Sequence, residues 1–359
     1  MIASLTPVVR RQLPRDVRRA LVTVRREQPA RARGGVPETH LLKRRERRLA
    51  KFHGKAEREP AGMRLLWGVI EKGVTPSRAA ALVERHRAVA AALERLRAVH
   101  DGSPPAPCCP RLLEADTAAG RLLFEAFAGV SLSSVSDEAI RGRARARVAA
   151  KIARLEIIPA GDWTAQRWDG VSEWQRLGEV WERAGISLPA WTNYLRMYIE
   201  ATSPDVAAHR DLYAEQVIVL DAEDLCNRWI DWDLAAVAPA GLDLGNFLAH
   251  ERLVHAAAYK ECGQSPVTSW DDIQRAYWNA GGRADAVAIA AWEAATCLRL
   301  AGLVLQRGAG DDRVERNPSW LPAPITDPGV AQRLIDDARA LTELAAGKVR
   351  GARVSPEAR

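Results

Sequence analysis

Three side chains in the second half of the sequence are spaced in a way that suits metal and phosphate chemistry. Asp211 precedes a predicted β-hairpin, Gln216 begins it, and Asp231 ends it. Because a hairpin returns the chain to the end from which it started, we expect the three side chains to converge. Carboxylate and amide oxygens are the ligands that Mg²⁺ prefers, and a carboxylate beside the metal can orient or deprotonate a hydroxyl group. The spacing therefore predicts phosphoryl transfer.

The hairpin that must position these groups is indicated by alternation in residues 216–220 and 225–231, with the acidic turn DAED between them. It interrupts a pattern that is mostly helical from about residue 135 onward. Long amphipathic blocks at 271–306 and 329–346 belong to that pattern.

The first 130 residues contain most of the other strand signals. A three-stranded antiparallel meander is predicted from residues 19–26, 39–45 and 47–52, and two further strands from residues 111–115 and 121–127. These five strands predict a small α+β lobe.

Residues 60–100 are predicted to be helical. Leu65, Leu66, Val69 and Ile70 form a first block with helical spacing, and a longer block follows a capping Ser77. The resulting division is an N-terminal lobe at 1–130, a helical C-terminal lobe at 131–346 and a disordered tail at 347–359.

The charge distribution argues against a nucleic-acid partner. The 359 residues carry 52 Lys and Arg against 45 Asp and Glu, a formal net charge of +7. Residues 1–60 alone hold 17 basic and 6 acidic side chains, so the remainder of the chain is slightly acidic. The basic character therefore belongs to the N-terminal segment.

The five cysteines lack the spacing of a disulfide framework or a zinc site, which favours a reducing, cytoplasmic location. No run of about 18 uncharged apolar residues occurs, so we expect no membrane span. The sequence carries no indication of an oligomeric state.

The catalytic motif resembles that of the aminoglycoside phosphotransferase and choline kinase family, the small-molecule branch of the protein-kinase-like fold. The HxDxxxxN loop of the family is represented by His209, Asp211 and, with a substitution, Gln216. Its I-D-[FW] metal motif is matched by residues 230–232, and a following Asp-containing segment by residues 241–248. The resemblance covers roughly residues 40–306. It implies an α+β fold with an antiparallel-sheet N-lobe and a mostly helical C-lobe.

The resemblance also implies roles for individual residues. Asp211 is the expected catalytic base, and Asp231 the expected main metal ligand, helped by Gln216. Asp243 is expected to brace the catalytic loop, and His209 to form hydrogen bonds within it. The implied reaction transfers the γ-phosphoryl group of ATP, with Mg²⁺, to a hydroxyl group of a small molecule.

In the N-terminal lobe, the resemblance implies that Lys51 reaches the nucleotide phosphates. Its carboxylate partner is predicted to be Glu84, with Glu94 as the alternative. The backbone from Glu125 to Phe127 is the predicted binding site for adenine, in a cleft between the lobes.

The loop expected to cover the phosphates is 28–37, which contains only Gly34 and Gly35 and no GxGxxG motif. Arg31 or Arg33 is an alternative source of phosphate contacts. The loop is poor in glycine and Gln216 replaces Asn. An alternative interpretation is therefore a non-catalytic, kinase-like module that binds nucleotide or an acidic partner. A helical nucleic-acid binder is a third possibility.

Several residues have two interpretations at this stage. Lys51 also fits a solvated basic run. Trp163, Trp168 and Trp174 fit either core packing or a platform on which the acceptor stacks. Strand alternation predicts that Asp233 points away from Asp231 and has a supporting role. The identity of the acceptor stays open.

Overall fold

The computed structural model describes residues 39–45, 48–59, 62–98, 107–220, 228–262, 270–308 and 327–353. Predictions that concern the strand at 19–26 and the loop at 28–37 lie outside these residues.

The N-terminal lobe contains an antiparallel sheet with the spatial order β1-β2-β3-β5-β4. Its strands are β1 (Thr39–Arg45), β2 (Arg48–Glu59), β3 (Gly62–Gly73), β4 (Leu112–Asp116) and β5 (Arg121–Glu125). The strands predicted at 39–45, 111–115 and 121–127 are confirmed. The strand predicted at 47–52 is confirmed but extends seven residues further, to Glu59.

The prediction of a helix at Leu65 to Ile70 is wrong, because these residues belong to β3. This strand is the middle one of the described sheet, paired with β2 on one side and β5 on the other. Leu65-Leu66 and Val69-Ile70 are apolar at consecutive positions, and a short apolar run of this kind does not distinguish a strand from a helix.

Helix α1 (Pro76–Ala98) follows β3 after two residues. It begins at a proline, where the fixed φ suits the first helical turn, and Thr75 O accepts hydrogen bonds from the backbone of Arg78 and Ala79. Ser77 is therefore inside the helix rather than its cap. Buried Leu82 packs with the sheet of the N-terminal lobe, whereas Leu93 packs with the core of the C-terminal lobe. The helix thus joins the two lobes.

The C-terminal lobe is mostly helical, as predicted. Its helices are α2 (Glu138–Glu156), α3 (Gly170–Arg183), α4 (Thr192–Glu200), α5 (Leu242–Cys262), α6 (Trp270–Asn279), α7 (Ala286–Gly308) and α8 (Pro328–Arg353). Helix α7 is long and apolar enough to cross a membrane, but 83% of its most apolar window is buried among the other helices, as in a core helix.

Short strands position the loops of this lobe. They are β6 (Val130–Ser131), β7 (Val206–Ala208), β8 (Val217–Val219), β9 (Arg228–Trp229) and β10 (Ala236–Ala238). The predicted hairpin is confirmed, since Val217 pairs with Trp229 and Ile218 with Arg228 in antiparallel register. Strands β7 and β10, which precede and follow the hairpin in the sequence, form a second antiparallel pair.

The prediction of a disordered tail from residue 347 is wrong for its first seven residues, because α8 continues to Arg353. Residues 354–359 lie outside the described structure.

Candidate functional site

The loop between β7 and β8 is held in shape by a carboxylate from α5. Asp243, in the first turn of α5, accepts hydrogen bonds from the backbone N–H groups of His209 and Arg210, both at 2.6 Å. Arg210 has a φ of 70°, a left-handed conformation that is costly for a long side chain. The two hydrogen bonds to buried Asp243 oppose that cost, so Asp243 braces the loop as predicted.

His209 is fully buried and forms hydrogen bonds within the loop. Its Nε2–H donates to Ile230 O at 2.9 Å, and its Nδ1 accepts from the backbone N–H of Asp211 at 3.4 Å. Its ring packs against Trp232, with centroids 4.5 Å apart. Both ring nitrogens are thus engaged inside the protein, which agrees with the predicted hydrogen bonding within the loop and excludes His209 as a metal ligand in this arrangement.

The hairpin brings Gln216 beside Asp231. The backbone N–H of Ile230 donates to Gln216 O at 2.9 Å, so the two chain segments are in contact one residue before Asp231. Asp231 has a φ of 63°, and it and Arg210 are the two non-glycine residues with positive φ in the described part of the chain. The two residues directly follow His209 and Ile230, which are joined by a hydrogen bond, so the strained positions lie on adjoining segments.

The expectation that Asp233 points away from Asp231 is wrong. Strand β9 ends at Trp229 and residues Trp232–Leu234 form a 3-10 turn, so strand alternation does not extend to Asp233. The carboxylates of Asp231 and Asp233 consequently approach the same group, the ammonium of Lys72, at 2.5 and 2.7 Å.

Lys72 lies near the end of β3 and reaches across from the N-terminal lobe. Burial by itself would lower its pKa, but the two carboxylates outweigh this effect and the pKa is raised, so the side chain stays charged. Lys51, which the sequence suggested for this position, lies in β2, where it is paired with Glu71, and its side chain is outside the described structure. Lys72 is therefore the lysine that the structure places at Asp231 and Asp233.

The prediction for Glu84 is corrected by the orientation of α1. Its carboxylate is 76% exposed and forms an ion pair with Arg87, and Glu94 is also exposed. These glutamates lie on the solvent face because the opposite face of α1 packs against both lobes. The helix instead presents two arginines to the hairpin.

These arginines are Arg78 and Arg85. Arg85 donates to the backbone carbonyl of Asp233 and to the side chain of Gln166, while Arg78 Nη2 lies 3.7 Å from Asp233 Oδ2. That oxygen is buried and makes no hydrogen bond within the described residues. Lys72 and Arg78 thus face the carboxylates of Asp231 and Asp233, and Arg85 binds the backbone of Asp233.

The segment predicted to bind adenine connects the two lobes after β5. The backbone N–H groups of Glu125 and Ala126 already donate to Arg111 O and Gly68 O, at 2.9 and 3.1 Å. The carboxylate of Glu125 binds the guanidinium of Arg111. Neither backbone N–H group is therefore open to a nucleotide in this arrangement. Phe127 is the remaining residue of the predicted adenine-binding segment.

Tyr213 is a site residue that the sequence did not indicate. Gln216 Nε2 donates to its hydroxyl oxygen at 3.1 Å, and its ring stacks on His250 with centroids 4.6 Å apart. Burial raises its pKa well above the ordinary value, and nearby Asp211, Glu215 and Asp231 raise it further, so the phenol stays neutral.

The three tryptophans considered for the acceptor site differ in exposure. Trp163 and Trp174 are buried in the core and are unsuitable as a stacking platform. Trp168 is half-buried, and one face of its ring is covered by the guanidinium of Arg210, 3.7 Å from the ring centroid. Trp168 Nε1–H also donates to Glu173, at 3.0 Å. Trp168 thus packs against Arg210 and stabilises its position.

The sequence held a signal for the missed lysine. Residues 69–72 read Val-Ile-Glu-Lys, a β-branched pair followed by a lysine shortly before a helix that starts with proline. Their assignment to a helix concealed this pattern. Nothing in the sequence alone singles out Arg78, Arg85 or Tyr213.

The sequence matches no family model and no curated protein closely enough to count as a relative. Solved structures do resemble it. A choline/ethanolamine kinase family protein from Mesorhizobium loti is similar with a TM-score of 0.53 and 15% identity, over 90% of this chain and 99% of that one.

An aminoglycoside phosphotransferase from Streptomyces rimosus is similar with a TM-score of 0.51 and 18% identity, over 79% of this chain and 97% of that one. TM-scores just above 0.5 over most of both chains show a shared fold, which confirms at the level of the fold the resemblance predicted from the sequence motif. The chain therefore has the two-lobed, kinase-like α+β fold of the choline/ethanolamine kinase and aminoglycoside phosphotransferase structures.

Proposed function

We propose that this protein is an ATP-dependent phosphotransferase that moves the γ-phosphoryl group to a hydroxyl group of a small molecule. The observation that carries the proposal is the contact of Lys72 with both Asp231 and Asp233, next to the loop that Asp243 braces. This arrangement gathers cations and carboxylates where the two lobes meet. Phosphoryl transfer depends mainly on such positioning and charge neutralisation.

In this proposal each group has a defined task. Asp211 accepts the proton of the acceptor hydroxyl, since it lies on the braced loop and is only partly buried. Lys72 and Arg78 contact the phosphates, and Phe127 lies at the adenine end. Arg85 holds the turn that carries Asp233.

The donor set fits a hard divalent cation. Asp231 offers a carboxylate, Gln216 an amide oxygen, and Asp233 a buried oxygen without a hydrogen bond within the described residues. No group of three or more His, Cys, Asp or Glu side chains suitable for a metal occurs in the described ranges. Two carboxylates and one amide oxygen suit Mg²⁺, which takes few protein ligands and completes its shell with phosphate and water. Bound there, Mg²⁺ would neutralise phosphate charge.

A second candidate is a non-catalytic kinase-like module that binds nucleotide or an acidic partner. It is favoured by one observation, the exposed position of Glu84 and Glu94, which leaves arginines rather than a glutamate on the inner face of α1. Nucleotide binding without transfer would support this candidate.

The deciding experiment combines binding and turnover. The melting temperature is measured with ADP or ATP, with and without Mg²⁺, and transfer from ATP labelled at the γ-phosphate is screened against pools of amino alcohols, sugars, nucleosides and aminoglycosides. We expect a rise in melting temperature and labelling of one acceptor class.

The matched control is Asp211→Asn, which keeps the size of the side chain but removes the base. It should bind nucleotide as the wild type does and lose transfer. Transfer at the wild-type rate by Asp211→Asn would contradict the assignment of the base. Absence of a nucleotide effect in the wild type would contradict the proposed function itself.

A further inference from the structure

Tyr213 contacts Gln216 through both its backbone and its side chain. The residues between them form a 3-10 turn, Ala214–Gln216, in which the backbone N–H of Gln216 donates to Tyr213 O at 2.8 Å. The side-chain Nε2 of the same glutamine donates to the Tyr213 hydroxyl at 3.1 Å. Tyr213 therefore holds both the backbone position and the side-chain amide orientation of Gln216.

The amide has two different ends, and only one of them is engaged by the tyrosine. An amide nitrogen donates and an amide oxygen accepts, so anchoring Nε2 on Tyr213 turns Oε1 away from the phenol. No hydrogen bond to Gln216 Oε1 is found among the described residues. The backbone of Gln216 meanwhile accepts from Ile230, next to Asp231. Gln216 Oε1 is thus the amide atom that is available to bind a ligand near Asp231.

The ring that supplies the anchor is itself fixed. It stacks on His250 at an interplanar angle of 12°. His250 is in turn held by Asn246, whose backbone O lies 2.9 Å from its Nδ1. A phenol on such a support keeps its oxygen in one place, so it can orient a flexible glutamine at a small entropic cost.

We propose that Tyr213 is a positioning residue that orients the Gln216 amide so that its oxygen binds the divalent cation of the nucleotide complex. The inference rests on the proposed function. It accounts for a glutamine at the position where asparagine is expected, because the hydrogen bond to Tyr213 restricts the additional torsion of the longer side chain.

The test measures cation affinity directly, with Mn²⁺ as a paramagnetic probe and ADP as the nucleotide. Mn²⁺ binding to the ADP-bound protein is followed by electron paramagnetic resonance for the wild type and for Tyr213→Phe, which keeps the stacked ring. We expect about a three- to tenfold loss of Mn²⁺ affinity, the effect of one hydrogen bond. ADP affinity without metal should not change.

Two further variants separate positioning from a general structural effect. Gln216→Leu removes the amide, and adding Tyr213→Phe to it should cause no further loss of Mn²⁺ affinity, because the tyrosine then has nothing to orient. Tyr198→Phe removes a phenol oxygen from the partly buried face of α4, and it should leave Mn²⁺ affinity unchanged.

The outcomes are distinguishable. Wild-type Mn²⁺ affinity in Tyr213→Phe, or additive losses in the double variant, would overturn the role of Tyr213 while leaving the proposed function in place. Failure of the wild type to bind Mn²⁺ in an ADP-dependent manner would overturn the proposed function and this inference together.

Discussion

The ammonium of Lys72 lies 2.5 Å from Oδ1 of Asp231, although 159 positions separate the two residues in the sequence. One is at the end of a strand in the N-terminal lobe, and the other follows the hairpin of the C-terminal lobe. The contact joins the part of the protein proposed to hold phosphate to the part proposed to hold the metal.

Lys72→Met should reduce phosphoryl transfer by roughly 10²- to 10³-fold, because it removes a buried positive charge from the developing phosphate charge. The measurement is the initial rate with the acceptor found by screening, together with a melting curve to confirm folding. Lys51→Met is compared under the same conditions. A larger loss in Lys51→Met than in Lys72→Met would restore the assignment made from sequence.

Asp243→Asn should destabilise the protein by about 1–3 kcal/mol and reduce transfer. The carboxylate accepts hydrogen bonds from two backbone N–H groups, whereas an asparagine offers one acceptor oxygen and places its amide NH₂ group against the second N–H. Urea unfolding measures the stability, and amide hydrogen exchange at His209 and Arg210 reports the loop. Unchanged exchange at these two amides would show that Asp243 does not brace the loop.

Trp168→Leu should lower stability by about 1–2 kcal/mol, since Arg210 loses the ring on which it rests. The KM for the acceptor should stay close to that of the wild type. A KM that rises many-fold with stability unchanged would instead support the alternative in which Trp168 stacks on the acceptor.

His86 should make the protein less stable in acid. Burial lowers its pKa to about 4, while the unfolded side chain has the ordinary value of 6.5; the Pro110 carbonyl opposes this shift and Lys72 adds to it. Below pH 6.5 the unfolded state therefore binds more protons, and the free energy of unfolding falls as the pH drops towards 4. The slope contributed by this residue is about 1.4 kcal/mol per pH unit.

His86→Gln keeps a donor for Pro110 O, which lies 2.6 Å from His86 Nε2, but cannot be protonated. Urea unfolding between pH 4 and 7 should show a shallower acid limb in this variant, with His250, whose pKa burial also lowers to about 4, still contributing. Identical pH slopes for the two proteins would contradict this prediction.

The hairpin shows what could be inferred before the fold was known. Alternation in residues 216–220 and 225–231 is a local property, and so is the turn between them, so both strands and the convergence of Gln216 with Asp231 were predictable. The bracing role of Asp243 could also be predicted, through the resemblance of its motif. Asp233 could not, because a 3-10 turn and a strand place the same residue on opposite sides and the local pattern does not distinguish them.

Sequence alone therefore determined the order of the lobes, most of the strands and the candidate catalytic motif, because each depends on neighbouring residues or on a motif of short span. Only the tertiary structure decided that Lys72 faces the carboxylates, that α1 turns Glu84 to solvent and Arg78 inward, and that Tyr213 holds Gln216. These features depend on how a helix rotates between two cores and on where distant segments meet. Packing of the whole chain sets both, and no local pattern encodes them.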